Sequence, residues 1–324
     1  MKQISIIIFF FILPLAFADL ELGFYASSCR KAESIVKQVV QKRFNRDKSI
    51  TAALLRMHFH DCFVRVRTIF IHVQGCDASL LIDSTKNNIS EKDTGANDSV
   101  RGYDLIDDVK EAIEAACPST VSCADIVALA TRDAVALSGG PKYNIPTGRR
   151  DGLIANRDDV DLPGPNIPIG ALSQFFAAKG ITTEEMVTLL GAHTVGVAHC
   201  GFFASRLSSV RGKPDPTMDP ALDTKLVKLC KSNSDGAAFL DQNTSFTVDN
   251  EFYKQILLKR GIMQIDQQLA LDKSTSTFVS NFASNGDKFV KSFATAMIKM
   301  GKVGVLVGNE GEIRKNCRVF NKRN

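Results

Sequence analysis

The chain has 324 residues, and its 40 basic and 35 acidic side chains leave a net charge of +5. The charge is modest and no basic run stands behind it, which excludes nucleic acid as a partner. The excess reads as a solvated basic surface, with attraction to an acidic polysaccharide as the alternative. Nothing beyond the first residues is long and apolar enough to cross a membrane.

Taken in chain order, the first segment is a leader rather than part of a fold. Met1-Lys2 precede an uncharged apolar run from Ile4 to Phe17 that closes on Ala16-Phe17-Ala18. A charged start, a short apolar core and an A-x-A ending describe a secretory signal peptide over residues 1–18. A bilayer span needs roughly 20 apolar residues, and this run is shorter; a buried N-terminal helix is the alternative. The mature chain, 19–324, is expected to be soluble and secreted. Its length suffices for one large domain or two lobes on a shared core.

Helical periodicity dominates the mature chain. Apolar residues recur at three- and four-residue steps from Ala32 to Val40 and from Leu105 to Ala116. Ser122 is placed to cap a strong helix former running from Cys123 to Ala130. The stretch Leu162-Pro163-Gly164-Pro165-Asn166-Ile167-Pro168 cannot be helix interior. It is the best lobe boundary, between a lobe of about 19–161 and one of about 169–300. Thr182 or Thr183, followed by Glu185, resembles a capping box ahead of Met186 to Leu190. Asp249 to Leu258 and Phe289 to Lys299 are further amphipathic helices. Strand-like alternation is scarce, so the fold class is all-α.

The eight cysteines stand at 29, 62, 76, 117, 123, 200, 230 and 317, all after the leader. An even number in an exported chain reads as four disulfides, and sequence alone leaves their pairing open. None shows the C-x-x-C spacing of a zinc site.

Two histidine-centred motifs carry the chemistry. The first is Leu54-Leu55-Arg56-Met57-His58-Phe59-His60-Asp61-Cys62-Phe63-Val64. If it is helical, Arg56 and His60 share a face four residues apart. Heterolysis of a peroxide needs a neutral base to carry a proton between its oxygens and a fixed positive charge beside the developing oxyanion. His60 and Arg56 fit those roles. His58 faces elsewhere and reads as a satisfied core histidine. The second motif is Leu189-Leu190-Gly191-Ala192-His193-Thr194-Val195-Gly196. A histidine at the end of an apolar helix, flanked by small residues, lets a flat cofactor approach, and a neutral imidazole there can ligate haem iron. Such a ligand usually gives its other N–H to a carboxylate. The zinc alternative, His193 with His199, lacks a suitable spacing and a third ligand.

At these residues the chain resembles the secretory (class III) plant peroxidases. The resemblance runs from Phe24-Tyr25 to Asn316-Cys317-Arg318, with Val121-Ser122-Cys123-Ala124-Asp125-Ile126 and Gly148-Arg149-Arg150-Asp151 between the motifs. It implies a two-lobed haem peroxidase fold with haem b between the distal and proximal helices and a C-terminal segment returning to the distal lobe. It also implies reduction of H2O2 with one-electron oxidation of phenolic donors. Motif by motif, it implies Arg56 as transition-state stabiliser, Phe59 as the wall of the distal haem face and His60 as acid and base. Asn97 would accept the other N–H of His60. His193 would be the axial ligand, Asp266 the carboxylate behind it, and Pro146 the residue whose carbonyl meets aromatic donors. The resemblance implies two Ca2+ ions as well. Asp61, Val64, Gly75, Asp77 and Ser79, with Glu91 through water, resemble the distal site, and Thr194, Asp241, Thr244, Thr247 and Asp249 the proximal one. The implied disulfides are Cys29–Cys117, Cys62–Cys76, Cys123–Cys317 and Cys200–Cys230. Of the Asn-x-Ser/Thr sites, Asn88 is the expected glycan acceptor, Asn97 is expected buried, and Asn243 lies in a calcium loop. The implied setting is extracellular, in the cell wall or apoplast with the vacuole as alternative, for a monomer exposed to acidic wall polysaccharide. A competing reading is a wall-bound, calcium-stabilised scaffold with little turnover; the intact Arg56, His60, Asn97, His193 and Asp266 argue against it.

The chain departs from the family pattern between Val64 and Gly75, where ten residues stand in place of one. The nine extra residues, 66–74, fall inside the Cys62–Cys76 loop and the distal calcium set. They read as translated intron-edge sequence: Val66-Arg67 can be encoded with a splice-donor-like start, and His72-Val73-Gln74 with an acceptor-like end. A genuine surface loop is the alternative. A smaller departure, Arg30 where proline commonly follows the cysteine, carries no expected consequence.

Overall fold

The computed structural model describes residues 19–64 and 75–322. The leader, 1–18, and the extra segment, 66–74, lie outside the described residues. Thirteen α-helices and one small sheet make up the regular structure among the described residues. None of those helices is long and apolar enough to cross a membrane.

The first four helices are α1 (Ala32–Phe44), α2 (Ile50–Cys62), α3 (Tyr103–Ala116) and α4 (Cys123–Leu137). They pack into one core with Tyr25 and Cys317. Helix α4 is its centre: nearly every residue is buried, as in a helix enclosed by others, and its buried Asp125 is paired with Arg149. Ser122 starts it by accepting from the Asp125 N–H at 3.1 Å. Helix α3 buries one stripe, Leu105, Ile106, Val109 and Ile113. Lys110 is buried with them because its ammonium donates to Val121 O at 2.7 Å and pairs with Glu114.

A second core is built from α5 (Ile169–Ala177), α6 (Thr183–Leu190), α10 (Glu251–Leu257), α11 (Gln264–Leu271), α12 (Ser276–Ser284) and α13 (Gly286–Met300). Helix α2 belongs to both. Ala53, Leu54 and Met57 face the first core; Leu55 and Cys62, with the following Phe63, face the second. That double packing leaves α2 little freedom to shift. A third, smaller core gathers α7 (Cys200–Phe203), α9 (Pro220–Ser232) and the antiparallel strands β1 (Val197–His199) and β2 (Ala237–Phe239), while the short α8 (Ser208–Arg211) links α7 to α9 without a buried residue of its own. In the sheet Val197 lies opposite Phe239 and His199 opposite Ala237. Asp219 caps α9 and Pro220 occupies its first turn, where a missing N–H is harmless.

After α13 the chain runs back onto the first core. Asp151 N donates to Glu312 O, and Arg150 N to Leu306 O. The fully buried Arg314 donates to the carbonyls of Asp77 and Ala78 at 3.0 and 2.9 Å. Four disulfides join Cys29 to Cys117, Cys62 to Cys76, Cys123 to Cys317, and Cys200 to Cys230, the pairing that the resemblance implies.

Candidate active site

Helix α2 presents the distal group. Arg56 and His60 lie on one face, and the Arg56 Nε–H donates to His60 Nε2 at 3.2 Å. The opposite ring nitrogen, Nδ1, stands 2.6 Å from Asn97 Oδ1. The Asn97 amide is itself oriented, because its Nδ2 donates to Glu91 O at 2.6 Å. Oδ1 can therefore only accept from the ring, so the His60 proton sits on Nδ1 and Nε2 keeps its lone pair. Burial first, then the Arg56 charge, push His60 down to about 4, against the contrary pull of Asn97. Arg56 is held by Ser99 Oγ at 2.8 Å and Ala96 O at 3.0 Å. No sequence motif points to these two anchors. Phe59 is half-buried beside His60, with Phe63 and Phe176 behind it at ring distances of 4.5 and 6.1 Å.

His193 occupies a 3-10 turn, Gly191–Thr194, immediately after α6 rather than the helix itself. Its Nδ1 meets Asp266 Oδ1 at 2.7 Å, with Asp266 buried in the first turn of α11. Burial opposes a charge on His193, but the Asp266 carboxylate outweighs it and lifts the ring above the usual histidine value. The small residue Gly191 has a packing reason: a Cβ there would sit 2.3 Å from Tyr253 Oη and 2.6 Å from the Phe289 ring. At Gly196 a Cβ would come within 2.9 Å of Ala52 on α2, so the two histidine-bearing segments approach closely.

The residues on the two segments suit a haem. His193 lies deep in the protein, yet 32% of its side-chain surface is open, and its Nε2 has no protein partner among the described residues. Arg56 and Phe59 across from it are likewise only partly covered, and the Arg56 charge is felt at His193. An unengaged imidazole nitrogen on one segment and a base on the other, among partly open side chains, suit a flat iron cofactor.

The expected cation ligands divide into two cases. Around the proximal turn, the Thr194 hydroxyl lies within 3.2–3.4 Å of Asp241 Oδ2, Thr247 O and Asp249 Oδ1. Thr244 Oγ1 joins Asp241 and Asp249 at 2.8 and 3.1 Å. All five residues converge, and hydroxyl, carboxylate and carbonyl oxygens are the donor set a hard cation takes. On the distal side, Asp61, Asp77, Ser79 and Glu91 are buried together, with Ser79 Oγ donating to Glu91 Oε2 at 3.0 Å. Asp61 Oδ1 and Glu91 Oε1 have no partner among the described residues. Burial and mutual repulsion push Asp61 and Glu91 well above the carboxylate range, and burial lifts Asp77 to about 6. A divalent cation would relieve that crowding. The two carbonyls of the set each accept one hydrogen bond: Val64 O from Lys179 Nζ at 2.7 Å, and Gly75 O from Asp77 N at 2.8 Å.

Four further residues singled out by the sequence take the following places. Pro146 is half-buried and its carbonyl accepts from Arg149 Nη1 at 2.8 Å. His58 is buried as expected but unsatisfied: neither ring nitrogen has a hydrogen-bond partner among the described residues. His199 lies on β1 against Asp235. Asn88 is exposed, with its Nδ2 donating to Ala155 O at 2.7 Å.

The family model described as Peroxidase matches residues 36–285. Among curated proteins, the chain is 58% identical over 315 residues to Peroxidase 44 of Arabidopsis thaliana, covering 97% of both chains. It is 54% identical to Peroxidase 57 of the same plant, covering 99% of this chain and 98% of that one. Against Peroxidase 5 of Vitis vinifera the identity is 46%, over 94% and 92% of the two chains.

Proposed function

The chain belongs to the peroxidase family, and from that premise we propose that His60 moves the proton of hydrogen peroxide while His193 holds the haem. The family activity is reduction of H2O2 by reducing substrates, with haem and calcium as cofactors. Haem, when bound, supplies the electrons that part the peroxide oxygens and draws them back from donors one at a time.

The observation that carries the reading is the state of the two rings. The free Nε2 of His60 can take a proton from the first peroxide oxygen and return it to the second. Arg56, charged and fixed by Ser99 and Ala96, lies beside that nitrogen, where negative charge develops on the departing oxygen. Peroxide enters by displacing the Arg56–His60 hydrogen bond. On the other side, Asp266 accepts the hydrogen bond of the His193 Nδ1–H and leaves Nε2 as a basic ligand. In balance, one H2O2 and two donor hydrogens give two waters and two donor radicals. We assign the donors to small phenols, the setting to the cell wall after secretion, and the working form to a monomer of two lobes meeting at the haem. The calcium sites adjoin both rings, Asp61 following His60 and Thr194 following His193, and hold the two segments in register.

The test is His193→Ala beside Asp266→Asn. The first is expected to lose haem or bind it loosely, the second to keep it. A His193→Ala protein with an unchanged Soret band and activity would be incompatible with axial ligation.

A further inference from the structure

The geometry points to Arg206 as a positioning residue for the proximal histidine: its guanidinium grips the turn that carries Asp266 and, through Asp266, sets the basicity of His193. The inference rests on the reading of His193 as the haem ligand. Its starting point is that Asp266 is poorly held by its own side chain. The carboxylate is 1% exposed; Oδ1 bonds His193, and Oδ2 has no partner among the described residues. With one hydrogen bond, a carboxylate can rotate and tilt. What fixes this one is its backbone, at the first turn of α11.

That backbone is gripped from outside. The Arg206 side chain, 2% exposed, sends Nη1 to three successive carbonyls: Gly261 at 2.6 Å, Ile262 at 2.9 Å and Met263 at 3.1 Å. Met263 directly precedes α11. The far side of the guanidinium is anchored by Asp215 Oδ2 at 3.1 Å and Thr217 Oγ1 at 3.3 Å. Asp215 is in turn oriented by the N–H and hydroxyl of Thr217. The guanidinium also lies within electrostatic reach of Asp266. A planar fork can face carbonyls on one side and a carboxylate on the other at once; an ammonium at the end of a flexible stem cannot. Loosening the turn would lengthen the Asp266–His193 contact, reduce the electron density that His193 gives the iron, and raise the iron's reduction potential.

The experiment uses the haem-loaded protein and reads two quantities other than activity: the iron midpoint potential by spectroelectrochemistry, and the iron–imidazole stretching band of the reduced protein. Asp266→Asn is the reference and is expected to raise the potential and lower the band. Arg206→Lys keeps the charge and loses the fork; a shift of both readouts in the same direction, smaller than the reference, supports the inference. Asp215→Asn keeps the guanidinium but weakens its anchor, and a smaller shift of the same sign is expected; this variant carries the test if Arg206→Lys does not fold. Wild-type values in the folded variants, with Asp266→Asn shifted, overturn the role of Arg206. An unshifted Asp266→Asn overturns instead the proximal reading on which it rests.

Discussion

A histidine serves as a base only if the right nitrogen is bare at the working pH, and at His60 two neighbours decide that. Asn97, with its amide nitrogen committed to Glu91 O, can only accept from Nδ1. Burial and the Arg56 charge keep the ring neutral down to about 4, below the ordinary histidine value of 6.5. Above the depressed value the ring is a base; below it the ring is protonated and cannot take a proton from peroxide. The rate of peroxide reduction should therefore stay level from neutrality to about pH 5 and fall through an acid limb centred near 4. His60→Ala should keep haem, lose that limb and lower the rate by roughly 10²–10⁴-fold. Stopped-flow peroxide consumption across pH measures both, and a near wild-type rate in the variant would remove His60 from the mechanism. The four-residue step between Arg56 and His60 is legible in the sequence because helical period alone puts them on one face. The anchors of Arg56 are not, since Ala96 and Ser99 lie 40 and 43 residues away and carry no signature. That the His58 ring has no hydrogen-bond partner among the described residues is equally hidden, because an apolar helix predicts burial and says nothing about hydrogen bonds.

Helix α6 delivers the chain into the His193 turn, and its start is readable as S/T-x-x-E chemistry. The structure selects Thr182: its hydroxyl accepts from Glu185 N, and Glu185 Oε2 accepts from Thr182 N at 2.8 Å. Thr182→Ala is expected to lower stability by about 0.5–2 kcal/mol, read from denaturant or thermal unfolding, with haem still bound. The change belongs at Thr182 because Glu185 also pairs with Lys299 on α13. The loop from Asp241 to Asp249 makes a second prediction at this scale. Asp241 is buried and gathers Thr194 and Thr244. Asp241→Asn should therefore lower bound calcium by about one ion per chain and lower the melting temperature. Elemental analysis and calorimetry decide it, and unchanged calcium would dissociate this loop from the ion. Helices α9 and α12 escape a reading by sequence because their patterns are diluted. Lysines interrupt the Leu222 and Leu226 stripe of α9, and α12 is rich in Ser, Thr and Asn, poor helix formers held by the burial of Val279 and Phe282.

Across the whole molecule, the helical class is legible from periodicity, but the closure of the chain is not. Arg314 and Asp151 are both fully buried and meet only after the last segment has crossed back over the first core; local pattern carries no record of that. The extra segment is the largest departure of the chain as a whole, and its effect can be bounded from its ends. It lies between Val64 and Gly75, inside a disulfide whose cysteines are 14 residues apart. Removing residues 66–74 shortens that separation to five, and the longer loop costs only about 0.9 kcal/mol more to close. The fold should therefore tolerate either length. Arg56, Phe59 and His60 precede the segment on α2, which both cores fix in place, so peroxide turnover at saturating calcium should be equal in the two proteins. Calcium should differ. Val64 O already accepts from Lys179 and Gly75 O from the following turn, so each of the two carbonyls of the expected set has one lone pair committed. Rejoining Arg65 to Gly75 brings those carbonyls to the short spacing of the family. The nine-residue deletion is therefore expected to hold its distal ion at lower free calcium than the full chain, read by chelator titration with elemental analysis. Equal calcium retention and equal turnover, with transcripts covering the 27 nucleotides of the segment, would show the loop to be genuine and harmless.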